Sequence, residues 1–191
     1  MWKTFFVKKV VKSGKMWREV LLLTYQTVRN KTNKTSQNFE QMLNLRGEYD
    51  CTMDAKGRIR LPTALIKRLG ERESYNFVLN KGFEKHLTLF PSEVWETTVK
   101  EFEKLNPYDN ETRNFLRRFH NGTTDVDLDD QSRILVPKRL AEYANLEKDV
   151  ILSAYGDKIE IWNAEEYERM MNDDTMTMTN LAQRVLGNRS E

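Results

Sequence analysis

The feature that most limits how this chain can fold is a nine-residue segment that occurs twice. Asp54-Ala-Lys-Gly-Arg58-Ile-Arg-Leu-Pro62 is matched by Asp129-Asp-Gln-Ser-Arg133-Ile-Leu-Val-Pro137, 75 positions further on. The order around it repeats as well. After each proline comes a short amphipathic helix, with Leu65, Ile66 and Leu69 in the first copy and Leu140, Ala141 and Ala144 in the second. A proline suits a first helical turn, where an N–H would have no intrahelical partner. Apolar strands follow at Phe77-Val78-Leu79 and Val150-Ile151-Leu152, then glycine turns at Gly82 and Gly156. Both His86–Phe90 and Lys158–Trp162 alternate with the period of two that marks a strand. Each copy closes in a helix, with Ser92 or Asn163 as the expected N-cap. A lone Arg-x-x-x-Pro match would be chance; an ordered series of this length is an internal duplication.

The duplication fixes the layout. We expect an α+β fold of two tandem halves related by a pseudo-two-fold, with short flanking helices. The first half spans 47–92 and the second 122–168. A helical connection over 93–121 joins them, with helices expected at Glu93–Leu105 and Glu111–Phe119, and a helical tail covers 169–191. Residues 1–41 stand apart. They hold nine Lys and Arg against two acids, whereas 42–191 hold 22 basic and 27 acidic residues. Any DNA binding by the folded part must therefore come from a local cluster rather than from overall charge. A polar stretch, Asn30 to Asn38, separates the basic segment from the duplicated part.

Several classes are disfavoured. One cysteine, Cys51, allows no internal disulfide and suits a reducing cytosol. Val20–Leu23 is too short to span a bilayer, and lysines at 3, 8, 9, 12 and 15 interrupt any signal-peptide core. A cytoplasmic protein with no membrane partner is expected. The two histidines, His86 and His120, suggest no triad, and neither a phosphate-cradling glycine loop nor a zinc-ligand spacing occurs. We expect no catalysis, no metal, no cofactor and no small-molecule substrate.

The chemistry lies in the duplicated turn. An aspartate opening a tight turn can accept N–H bonds from residues two or three further on, and Gly57 can supply a positive φ. The bland reading is that Asp54 and Arg58 merely brace a hairpin. Two observations favour binding: the turn recurs, and its first copy is rich in cations, with Lys56, Arg58 and Arg60, then Lys67 and Arg68 on the next helix. A guanidinium on a rigid turn can bond guanine or phosphate bidentately. Lys56, Gly57, Arg58, Arg60 and Arg133 are the candidate DNA-binding residues. Asp54, Asp129, Pro62 and Pro137 are assigned to the structure of the turns. Trp95, Trp162 and Tyr167 are read as core or interface residues rather than base-stacking platforms.

Gly47-Glu48-Tyr49, the two Asp-x-x-x-Arg segments and the closing Ile159-Glu-Ile-Trp162 together resemble the MraZ family, over residues 42 to about 187. The resemblance implies swapped-hairpin β-barrel halves similar to the AbrB and SpoVT type, in cytoplasmic, nucleoid-associated protomers that form a homo-oligomeric ring. It implies a sequence-specific regulator that binds double-stranded DNA at its own promoter, at the head of the division and cell-wall gene cluster. The family's DNA-binding residues carry over to Arg58 with Lys56 and Gly57, and to Arg133 in the second copy. There Ser132 stands where glycine is usual, and Asp130-Gln131 replaces Ala-Lys. The second turn is less cationic and is expected to contribute less.

Such proteins usually start just before Gly-Glu-Tyr, and Met42 fits such a start. Residues 1–41 then read either as a basic arm or as upstream DNA translated from a mis-assigned start. The family's target is a set of G-rich direct repeats upstream of its own gene. Met16-Trp17 forces a GTGG; Ser13-Gly14 and Val10-Val11 permit two more, and Val20 permits a GTG. All four start about ten nucleotides apart, about one turn of B-DNA. We read residues 10–20 as the operator carried in coding frame; codons lacking the repeats would refute this. The competing class is an AbrB-like protein-interaction module or antitoxin. Antitoxins of this type usually carry one copy of the motif and a disordered tail, whereas this chain carries two copies and no comparable tail.

Overall fold

A computed structural model of the chain describes residues 43–70, 74–173 and 178–187. The reading of residues 1–41 lies outside the described residues. The elements run in an order that repeats. First come β1 (Leu45–Thr52), β2 (Arg58–Arg60), α1 (Thr63–Leu69), β3 (Asn76–Lys81), β4 (Leu87–Pro91) and α2 (Ser92–Phe102). After α3 (Asn110–Phe119) come β5 (Thr124–Asp127), β6 (Arg133–Leu135), α4 (Lys138–Tyr143), β7 (Asp149–Gly156), β8 (Lys158–Asn163) and α5 (Ala164–Met171). A last helix, α6, covers Met178–Gly187.

The strands form a six-stranded antiparallel sheet, ordered β1-β7-β8-β4-β3-β5, and a separate two-stranded ribbon of β2 and β6. Each copy keeps its own hairpin, β3–β4 or β7–β8, but its first strand goes elsewhere. β1 lies along β7, from Leu45 opposite Gly156 to Thr52 opposite Asp149, and β5 lies along β3. The remaining contacts, β4 with β8 and β2 with β6, join like to like. Exchanging the two copies leaves this pairing scheme unchanged.

One face of the sheet and the inner face of the ribbon close a single core. Ile59 and Ile134, partners at the centre of the ribbon, are fully buried, as are Leu79, Leu87, Leu89, Leu152, Ile159 and Ile161 from the sheet. Leu65 of α1 and Leu140 of α4 fill equivalent places. Each such aliphatic side chain contributes about 2 kcal/mol when removed from water. Two expectations shift slightly. Ser92 is not the N-cap of α2: that place belongs to Pro91, and Ser92 is the first helical residue, without a side-chain cap bond. The duplicated prolines, too, stand at the N-caps of α1 and α4, and their carbonyls accept from residues three and four further on. Asn163 does cap α5, its Oδ1 accepting from the Glu166 N–H at 3.1 Å. The two connecting helices begin one residue earlier than expected, and α2 ends at Phe102.

The opposite sheet face carries a second, smaller apolar group. Ile151, Trp162 and Tyr167 pack together, so these two aromatics are core residues. Trp95 of α2 instead packs between Phe90 and Phe119, only half-buried. His86 is stacked on Trp162 at 4.2 Å between ring centres and is buried. Its two nitrogens face Glu84 and Glu160 at 3.5 and 3.6 Å. Burial nevertheless wins and pushes the imidazole below its ordinary value. Gly82 is required here: a Cβ there would lie 2.0 Å from the imidazole.

Candidate nucleic-acid interface

The two copies of the turn are built alike, bond for bond. In the first, Asp54 Oδ1 accepts the N–H groups of Lys56 and Arg58 at 2.9 and 3.0 Å. Its Oδ2 accepts Arg58 Nε at 2.7 Å and lies 2.6 Å from Nη2. In the second, Asp129 Oδ1 accepts from the Gln131 and Arg133 N–H groups, both at 2.9 Å. Its Oδ2 accepts Arg133 Nε and Nη2 at 2.9 and 2.7 Å. Each aspartate thus holds the backbone of its turn with one oxygen and a guanidinium with the other. The guanidinium bond is the main reason that both carboxyls are held down to about 2. Arg133 is correspondingly pushed up by its bond to Asp129.

The turn needs a left-handed residue just before each arginine. Gly57 supplies it at φ 78° and Ser132 at φ 60°, so the serine adopts the same conformation as the glycine. Their carbonyls then extend the ribbon: Val136 N–H donates to Gly57 and Leu61 N–H to Ser132, both at 2.8 Å. The turns therefore sit at opposite ends of one short ribbon. Alternation along its strands buries Ile59 and Ile134 and turns Arg58, Arg60, Arg133 and Leu135 to the other face. Lys56, at the tip of the first turn, is exposed.

The structure thus brings Arg58, Arg60 and Arg133 onto one face of β2–β6, with Lys56 at one end. Arg60 is not free: its Nε donates to the Gln131 carbonyl at 3.0 Å and so braces the second turn. Lys67 and Arg68 lie exposed on α1. Two residues escaped the sequence reading. Gln131 accepts through its backbone, which no side-chain pattern reveals. Leu135 occupies the place of Arg60 and is 56% exposed; the mismatch between the copies at that position was the available signal. Among the described residues, no group of His, Cys, Asp and Glu could hold a metal ion, and no helix is long and apolar enough to cross a membrane.

Comparison with known proteins agrees with the duplication. The model of the MraZ protein family, whose description adds a likeness to antitoxins, matches twice, over residues 44–118 and 119–189. A protein from Christiangramia forsetii, named transcriptional regulator MraZ, is 37% identical over 148 residues, covering 77% of this chain and 96% of its own. Its namesake in Cytophaga hutchinsonii is 36% identical over 140 residues, or 73% and 93% of the two chains. The one in Caldicellulosiruptor saccharolyticus is 36% identical over 139 residues, 73% and 94%. The solution structure of PHS018 from Pyrococcus horikoshii, at 15% identity, overlaps 63% of this chain and 88% of its own with a TM-score of 0.28, too low to bear on the fold. With two matches to the family model and relatives matched along nearly their whole length, this chain belongs to the MraZ family.

Proposed function

We propose that this chain is a sequence-specific DNA-binding transcriptional regulator whose reading head is the outer face of the β2–β6 ribbon. The observation that carries this is the buttressed arginine. Asp54 takes the Nε and one Nη2 hydrogen of Arg58. That leaves the Nη1 group and the second Nη2 hydrogen unused by Asp54, a pair of donors of the kind that meets guanine O6 and N7. Because the guanidinium is already held, little rotamer freedom is lost on contact. Asp54 and Asp129 shape the turns, and Pro62 and Pro137 start the helices that pack behind them. Lys56 and Arg60 flank the reader. Arg133 is the second head, and Asp130 lowers the charge beside it.

The finer reading follows the family. The exchanged first strands suit two AbrB-like swapped-hairpin barrel halves, 47–92 and 122–168, joined by 93–121 and followed by a tail at 169–191. Protomers assemble in a cytoplasmic, nucleoid-associated ring. The ring engages G-rich direct repeats upstream of its own gene, at the head of the division and cell-wall cluster. Single heads bind weakly, and several acting on repeats one helical turn apart bind tightly through effective concentration.

The test uses fluorescence anisotropy on a duplex covering the DNA upstream of codon 42. Wild-type affinity is expected to fall steeply with salt. Arg58→Ala should lose about 10- to 100-fold of specific affinity, the range of a bidentate guanine contact, while light scattering shows the oligomer unchanged. Retained affinity would refute the assignment. The antitoxin likeness in the family's description favours one other reading, a protein-interaction module, which predicts no salt-dependent DNA binding at all.

A further inference from the structure

The reading head has two unlike ends, and the difference lies in one residue. A two-fold through the Ile59–Ile134 pair exchanges Arg58 with Arg133 and Arg60 with Leu135. At one end Arg133 faces Arg60 across the ribbon; at the other Arg58 faces Leu135. The bonds at Gly57–Val136 and Leu61–Ser132 make the central pair a hydrogen-bonded one. The Arg58–Leu135 pair is then of the non-bonded kind, whose Cα atoms lie about 4.5 Å apart and whose side chains sit close. Leu135 therefore stands beside Arg58 across the ribbon, exposed, on a face otherwise made of cations. It cannot be a core residue, because Ile134 and Val136 on either side of it point inward and are buried.

We propose that Leu135 is a specificity-determining residue that contacts the 5-methyl group of a thymine next to the guanine read by Arg58. This rests on the DNA-binding reading above. In the major groove, the thymine methyl is the apolar group that a base edge offers, and neighbouring base pairs are about 3.4 Å apart. An apolar side chain paired across the ribbon with a guanine-reading arginine, its Cα about 4.5 Å away, is placed to meet the adjoining step. The contact also gives the head a direction. A ribbon with Arg58 and Arg133 in identical surroundings would favour a palindrome; one flanked by leucine and the other by arginine favours an asymmetric unit, which can be repeated head to tail.

The experiment starts from duplexes enriched by the full-length wild-type protein out of a random-sequence pool. In the best of them, each thymine is replaced in turn by deoxyuridine, which removes only the methyl group. At one thymine beside a guanine, the substitution should weaken wild-type binding about fourfold, the effect of one buried methyl. The same substitution should change nothing for Leu135→Ala, whose unfolding midpoint should match wild type because the side chain is exposed. Leu135→Arg should also lose the methyl effect while steepening the salt dependence by about one phosphate contact. A methyl effect absent from every thymine, or equally large in Leu135→Ala, overturns the proposal while the Arg58 assignment stands. A pool that yields no enriched duplex rejects the DNA-binding reading itself, and this contact with it.

Discussion

Ser132 adopts a backbone angle that its counterpart Gly57 reaches freely: φ is 60° at the serine and 78° at the glycine. For a residue with a Cβ, the left-handed region costs roughly 1–2 kcal/mol. Part of that is returned when glycine replaces it, less the freedom that glycine adds to the unfolded chain. Ser132→Gly should therefore stabilise the protein by about 0.5–1 kcal/mol in urea unfolding. Gly57→Ala should act in the opposite sense and more strongly, by about 2 kcal/mol, since it combines the angle with crowding. Its Cβ would lie 3.0 Å from the Val136 carbonyl oxygen, a backbone atom that cannot step aside. An unchanged midpoint in Ser132→Gly would show that the turn relaxes around the serine. The same pairing of angles occurs twice more, at Gly47 and Gly122 and at Gly70 and Asn145. Of these six positions the sequence announced only Gly57, because a serine and an asparagine conceal the angle and because Gly47, Gly70 and Gly122 lie outside the nine-residue match.

At the scale of the element, the exchanged strands matter most. β1 has no partner in its own copy, only in the β7–β8 hairpin, and β5 has none but β3. A fragment covering 43–121 would leave β1, β2, the open side of β4 and the β5 side of β3 unpaired. A second copy of the fragment supplies every missing strand, with Ile59 facing Ile59 in the ribbon. That fragment is expected to sediment as a dimer with no folded monomer; a stable monomer would contradict the exchange. The two outermost strands are protected by charge: Glu48 and Asp50 lie on β1, and Asp125 and Asp127 on β5. The order of strands and helices was legible in the sequence, because alternation and proline punctuation act locally. The choice of partners was not. Alternation says which face of a strand is buried but nothing about which distant strand lies beside it, and β1 and β7 are about a hundred positions apart. The site was legible to a similar depth. Asp54 and Arg58 could be paired by their spacing, whereas the Arg60–Gln131 brace and the Arg58–Leu135 neighbours appear only once β2 is laid against β6.

For the molecule as a whole, stability should depend on pH in two steps. His86 is buried and held below its ordinary value, with Glu84 and Glu160 opposing burial and Lys158 assisting it. The unfolded chain takes up this proton first, so stability is full above about pH 6.5 and declines as pH falls below it. Asp54 and Asp129 are held down to about 2, against an ordinary 3.8, chiefly by the bonds from their arginines, so a second decline lies between about pH 4 and 2. Urea midpoints measured from pH 8 to 2 should show both steps. His86→Phe, which keeps a ring on Trp162, should flatten the first, and an unaltered profile would remove His86 as its cause. The joining of the copies has a consequence of another order. In a symmetric dimer of half-chains every mutation is expressed twice, at both ends of the ribbon together. Because one chain supplies both halves here, position 60 can be arginine while position 135 is leucine. Two copies in one chain can thus carry different residues at equivalent places, and the two ends of the ribbon are inherited separately.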